Sequence, residues 1–75
     1  MAFKKNDVWH EFEGSVERVT EKAVLFWAMG KKKPCWFPKS QFVILEPGSN
    51  DTPALIKATD WVIKQKTDAG EFEDE

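Results

Sequence analysis

The sequence predicts a mainly β domain: a small SH3-like or OB-like barrel of four or five short antiparallel strands with a short C-terminal helix. Short β-branched and aromatic runs alternate with turn signals at Thr20–Lys22, Gly30–Pro34 and Pro47–Asp51. Helical spacing shows only near the C-terminus. The chain has 75 residues, enough for one small domain, and its four Trp and six Phe must supply much of the packing. Each aromatic can bury ~150–250 Å², which makes a one-layer barrel feasible without a metal or a disulfide.

Residues 1–7 read as a flexible N-terminal arm, 8–67 as the folded domain and 68–75 as a disordered acidic tail. In the first strand Val8, Phe12 and Val16 share one side of a period-2 pattern with His10 and Gly14, and Glu11, Glu13 and Glu17 take the other. Val19 is out of phase with Val16. Alternation therefore fails after Gly14, and a bulge or bend at that glycine would absorb the slip. Thr20-Glu21-Lys22 marks a tight hairpin. Ala23–Met29 is apolar on both faces: a central strand covered on both sides, or one that presents an aromatic face. Gly30-Lys31-Lys32-Lys33-Pro34 follows as a hairpin loop, and Cys35-Trp36-Phe37 resumes the sheet.

Pro38 cannot donate to a ladder, so it marks an edge, a bulge or a strand end. Ser40 suits the turn that follows, through a hydrogen bond to nearby backbone. Gln41–Glu46 continues as strand before the loop at 47–51. Beyond it, Ala54–Ala58 reads as a strand returning to the sheet, with Thr59-Asp60 capping a short helix. One helix from Pro53 is the competing reading, because Leu55, Ala58 and Val62 sit at helical spacing. Trp61, at the helix start, is placed to plug one end of the barrel.

Charge is segregated along the chain. Eleven Lys and Arg face thirteen Asp and Glu, a net −2, but residues 22–67 alone carry +5. The last eight residues, DAGEFEDE, hold Asp68, Glu71, Glu73, Asp74 and Glu75 and no base. Such a block ordinarily stays solvated. Its sharper reading is an acidic docking peptide, or an internal competitor for the lysines with Phe72 as an apolar anchor. No apolar run approaches the ~20 residues needed to span a bilayer, and MAFKKNDVWHEFEG has no apolar core of a signal peptide, so a cytoplasmic location is expected.

The segments KAVLFWAMG and CWFPKSQF resemble a group of small, largely uncharacterised bacteriophage and prophage proteins with a Trp-x-Pro-Lys-Ser-Gln motif and a C-terminal Trp-containing helix. Thr20–Leu25, Trp36–Gln41 and Asp60-Trp61 with Lys64 and Lys66 carry the resemblance, which spans roughly residues 12–67. It implies a bacterial host cell and accessory work beside phage replication or recombination. It brings no catalytic residues with it. The acidic tail and the triple lysine depart from the group's pattern.

Enzyme chemistry finds no support, and no cofactor or metal is called for. His10 is the one histidine and reads as a surface residue; Cys35 lies in an apolar strand and reads as a small buried hydrophobe. The glycines are scattered, so there is no phosphate loop. The best constellation is Lys31, Lys32 and Lys33 between Trp27 and Trp36, which Lys39 and Lys22 would extend. Basic loops that track phosphates and aromatics that stack bases are what a small barrel needs to bind single-stranded nucleic acid. Whether the two tryptophans share a face depends on register. The plain alternative is a solvated lysine tip over two core tryptophans. Lys39 and Gln41 are candidates for recognition beside a structural role for their motif. The rival function is a protein–protein module: a phage-encoded modulator or inhibitor of a host protein, or a homo-oligomeric structural component, with tryptophans as anchors.

Overall fold

A computed structural model describes residues 8–75; the expected N-terminal arm at 1–7 lies outside the described residues. Five strands and one helix follow one another: β1 (Trp9–Val19), β2 (Ala23–Ala28), β3 (Cys35–Pro38), β4 (Phe42–Glu46), β5 (Ala54–Thr59) and α1 (Asp60–Asp68). All pairings are antiparallel, in the spatial order β3-β2-β1-β5-β4. The mainly β class, the five strands and the short C-terminal helix are as the sequence predicts. The sheet is open rather than closed. β3 and β4 are its two edges, joined by a single 3-10 turn at Lys39–Gln41.

β1 organises the sheet. Its first half, Trp9–Gly14, pairs with β5, and its second half, Gly14–Val19, pairs with β2. Gly14 is the shared point, opposite both Ala28 and Ala54. A Cβ there would lie 2.1 Å from the Trp27 carbonyl oxygen and 2.8 Å from both Ala28 Cα and Phe26 Cζ. Only glycine lets β2 come so close where β1 changes partner. The bulge itself falls three residues later than expected, between Val16 and Arg18, so Glu17 is the extra residue. Gly14 keeps its register because its role is close approach, not bending.

The inner face holds the core: Val24, Phe26 and Ala28 from β2, Cys35 and Phe37 from β3, Phe42 from β4, and Ala54, Ile56 and Ala58 from β5. Phe37 stacks on Phe42 at 5.1 Å, and Phe26 meets Phe42 edge-on at 5.5 Å. Val62 of α1 completes this core, with Trp61 and Ile63 packed against it. Thr59 caps the helix as the sequence predicts: its Oγ1 accepts from the Val62 N–H at 3.2 Å and donates to Gln41 Oε1 at 2.7 Å. The Gln41 side-chain oxygen thus joins the 3-10 turn to the helix start.

The tail corrects the expectation of a disordered 68–75. α1 runs to Asp68 and ends in a Schellman arrangement: Gly70 at φ +76° bonds back to Thr67 O, and the Glu71 N–H to Lys66 O. That reversal sends 71–75 back across the molecule. Phe72 is only 5% exposed and stands edge-on to Phe12 at 5.5 Å and to Phe37 at 5.8 Å. A solvated acidic block would leave Phe72 in water. Burying one phenyl ring, worth about 1.5–3 kcal/mol, acts together with the backbone bonds of Glu73 and Glu75 to the hairpin tip to hold the segment against the sheet.

Candidate nucleic-acid interface

Register settles where the two tryptophans point. In β2, Val24, Phe26 and Ala28 are buried, so Leu25 and Trp27 face outward; in β3, Cys35 and Phe37 are buried, so Trp36 faces outward. Trp36 lies directly opposite Leu25, which makes Trp27 its diagonal neighbour on the same outer face. Trp27 is 39% exposed and Trp36 40%, so neither is a core residue. Trp27 Nε1 donates to Lys31 O at 2.9 Å, which fixes the indole against the hairpin tip and limits the order lost if a base stacks on it.

The bulge at Glu17 adds a residue that the sequence reading missed. Without it Arg18 would continue the inward phase of Phe12, Gly14 and Val16. With it Arg18 pairs with Leu25 and joins the outer row Arg18–Leu25–Trp36. Arg18 is exposed and forms no ion pair with a described residue. The signal was available: the break in alternation after Gly14 implies that some residue changes face, but not which one.

Lysines stand at both ends of this face. At one end the Lys39 N–H donates to Lys22 O at 2.9 Å, bringing those two exposed residues together. At the other end are Lys31, Lys32 and Lys33. The six residue-to-residue steps from Lys33 to Lys39 span at most about 20 Å of extended chain, a length of a few nucleotides. Lys33 and Lys39 are exposed and without an ion pair among the described residues.

Lys31 and Lys32 are already engaged. Lys31 Nζ lies 2.7 Å from Asp74 Oδ1 and 4.2 Å from the centre of the Phe72 ring, leaving its side chain 18% exposed. The Lys32 N–H donates to Glu73 O at 2.9 Å, and its Nζ is 3.7 Å from Glu73 Oε1. Thus register places Trp27, Trp36 and Arg18 on one open surface, Lys33 and Lys39 stand exposed in the turns at either end of β3, and Lys31 and Lys32 are paired with the tail. Beside Trp27 the surface sinks into an open groove of about 600 Å³ between the hairpin tip and the 47–53 loop. Trp27, Met29 and Lys31 form one wall, with Ser15 and Asn50 among its hydrogen-bonding groups and Glu75 at its rim.

The remaining reactive groups sit elsewhere. Cys35 is 3% exposed, and burial pushes its thiol up to about 11, with nearby Glu71 adding to the rise against Lys66. The thiol therefore stays protonated at neutral pH, the state of a packing group. His10 is exposed and donates from Nε2 to Asp60 Oδ1 at 2.8 Å, tying β1 to the helix start. That bond, and after it one from Lys64, holds the Asp60 carboxyl below its ordinary value. Among the described residues no three His, Cys, Asp or Glu side chains converge as a metal site requires, and no helix is long and apolar enough to cross a membrane.

Comparison with protein-family models, with curated proteins and with solved structures finds no match to this chain.

Proposed function

We propose that this domain is a non-enzymatic module that binds single-stranded nucleic acid across the outer face of β2 and β3. The observation that carries the reading is the pair of exposed tryptophans on one face, 39% and 40% accessible, with Arg18 in the same outer row and the exposed Lys22, Lys33 and Lys39 in the turns at the ends of β2 and β3. Bases stack on Trp27 and Trp36, while the cations take the phosphates on either side. Base–aromatic stacking contributes about 1–3 kcal/mol per base and tolerates any sequence. With about four phosphate contacts the affinity is modest and falls with salt, by a log–log slope near −0.7 per contact. The phage-protein resemblance of the Trp36–Gln41 segment fits an accessory of replication or recombination in a bacterial host.

The test is fluorescence anisotropy with a labelled twelve-residue oligothymidylate at 50 mM salt. Trp36→Ala, on an exposed position, should weaken binding about 5- to 100-fold while the melting temperature holds. Equal affinity for wild type and variant rejects the stacking role.

A protein-binding reading draws on a different feature. β4 is an unpaired edge whose Val43, Ile44 and Leu45 are each 39–40% exposed, and exposed edges are templates for pairing with another chain. Sedimentation of the protein alone distinguishes this reading: a concentration-dependent dimer supports it, and a monomer at every concentration weighs against self-pairing.

A further inference from the structure

We infer that the segment Glu73–Glu75 is a built-in competitor of the nucleic acid, neutralising two lysines at the hairpin tip beside the binding face until a polyanion displaces it. The inference rests on the reading above and names the regulation of that same site. Four contacts support it, all to the hairpin tip that joins β2 and β3. Asp74 neutralises Lys31, and Glu73 lies against the Lys32 ammonium. The Lys32 N–H bonds to Glu73 O, and the Glu75 N–H bonds to Gly30 O, both at 2.9 Å. The tail thus lies along the loop as a short extra strand, bridged at Lys31 and Asp74. Glu75 reaches the rim of the groove that Trp27 lines.

The chemistry of the tail is that of the ligand it would exclude. Carboxylates meet the same ammonium groups a phosphate would meet, and backbone groups hold the segment in extended form. Two features make the contact reversible. The acidic side chains are exposed, Asp74 at 82% and Glu73 at 54%, so salt and competing anions reach them. The anchor is separate from the mask: Phe72 and the Gly70 reversal hold the segment near the site, whereas the carboxylates do the covering. Tethering keeps the effective concentration of the competitor high without making it tight.

The consequence is a two-level response. In the closed form the outer face offers Arg18, with Lys22, Lys33 and Lys39 exposed in the turns beside it. A strand long enough to reach the hairpin tip gains Lys31 and Lys32 once the carboxylates let go. Short oligonucleotides should therefore bind without moving the tail, and longer ones should release it.

The test compares the full chain with Glu73→Gln/Asp74→Asn, which keeps Phe72 and the shape of the tail, using the same oligothymidylate. Two uncovered phosphate contacts should steepen the log–log salt dependence by about 1.4 and tighten binding up to about 25-fold at 0.1 M salt. Glu11→Gln/Glu46→Gln removes the same net charge away from the hairpin, and should leave the slope as in wild type. Binding by wild type with no gain in the tail variant overturns the inference and leaves the nucleic-acid reading standing. An equal gain in the control variant also overturns it, by showing a net-charge effect. No binding by any of the three at 50 mM salt rejects the nucleic-acid reading, and the competitor falls with it. Amide exchange supplies an independent readout: the Lys32 N–H, held by Glu73 O, should lose protection on saturation with the oligonucleotide. Retained protection overturns the inference.

Discussion

Phe72→Ala is the most informative single change, because it asks whether the tail belongs to the fold. The ring is 5% exposed and contacts Phe12 and Phe37 edge-on. Its burial is worth about 1.5–3 kcal/mol, and each aromatic pair adds about 0.5–1.5 kcal/mol. Against this, a tail that lets go regains chain entropy, which offsets part of that loss. It also gives up the Lys32–Glu73 and Glu75–Gly30 backbone bonds, about 1 kcal/mol apiece. Because 71–75 can dissociate rather than enclose a void, the loss should stay below the ~3–5 kcal/mol of a sealed core Phe→Ala site. A net cost of about 1–3 kcal/mol follows. For a domain of this size each kcal/mol lowers the melting temperature by about 4–8 °C. The assay is thermal unfolding followed by circular dichroism, with urea unfolding as a check on cooperativity. An unchanged midpoint would refute the docked tail, since a solvated Phe72 has nothing to lose.

Gly14→Ala should unfold the junction of the two half-sheets. Its Cβ would fall 2.1 Å from the Trp27 carbonyl oxygen, a backbone atom that cannot step aside, so the cost should reach the ~3 kcal/mol upper range of overpacking or exceed it; a fully folded variant at 37 °C contradicts that geometry. Asp60 predicts a specific acid limb. Its carboxyl is held below the ordinary 3.8 by His10 and then Lys64, so its contribution is complete above that value and is lost as pH falls through the lowered one. Asp60→Asn should therefore flatten the loss of urea midpoint between pH 5 and pH 2, and an acid limb identical to wild type contradicts the assignment. Arg18→Ala should leave unfolding within about 0.5 kcal/mol of wild type, as for an exposed site, yet reduce the salt slope of oligonucleotide binding by about 0.7. An unaltered slope removes Arg18 from the phosphate-binding set.

The strands were legible because short β-branched runs and their punctuation are local. The hairpin at Gly30–Pro34, the Thr59 cap and the division into β5 and α1 all came from residues within one element. What was hidden depends on contacts across the chain. Alternation showed a break in β1 but not that Gly14 is pinned by Trp27 and Ala28, which pushes the bulge to Glu17 and turns Arg18 outward. Register, not composition, put Trp27 and Trp36 on one face. The tail misled most. Five acids in eight residues outweigh one Phe in any compositional reading, yet the Gly70 reversal and the space between Phe12 and Phe37 settle its place. A glycine just past a helix, followed two residues later by a lone aromatic, was the signal to weigh. Gln41, a candidate for recognition, accepts from Thr59, a bond between segments 18 residues apart that no local pattern shows.

Titration of intrinsic tryptophan fluorescence with a single-stranded oligonucleotide, at 50 mM and at 150 mM salt, tests the central claim most directly. The account predicts saturable quenching that weakens with salt and is largely lost in Trp27→Phe/Trp36→Phe, since Trp9 stands at the far end of β1 under Lys57 and Trp61 packs against the core from α1. A flat titration at 50 mM salt, or quenching unchanged in the double variant, would contradict it.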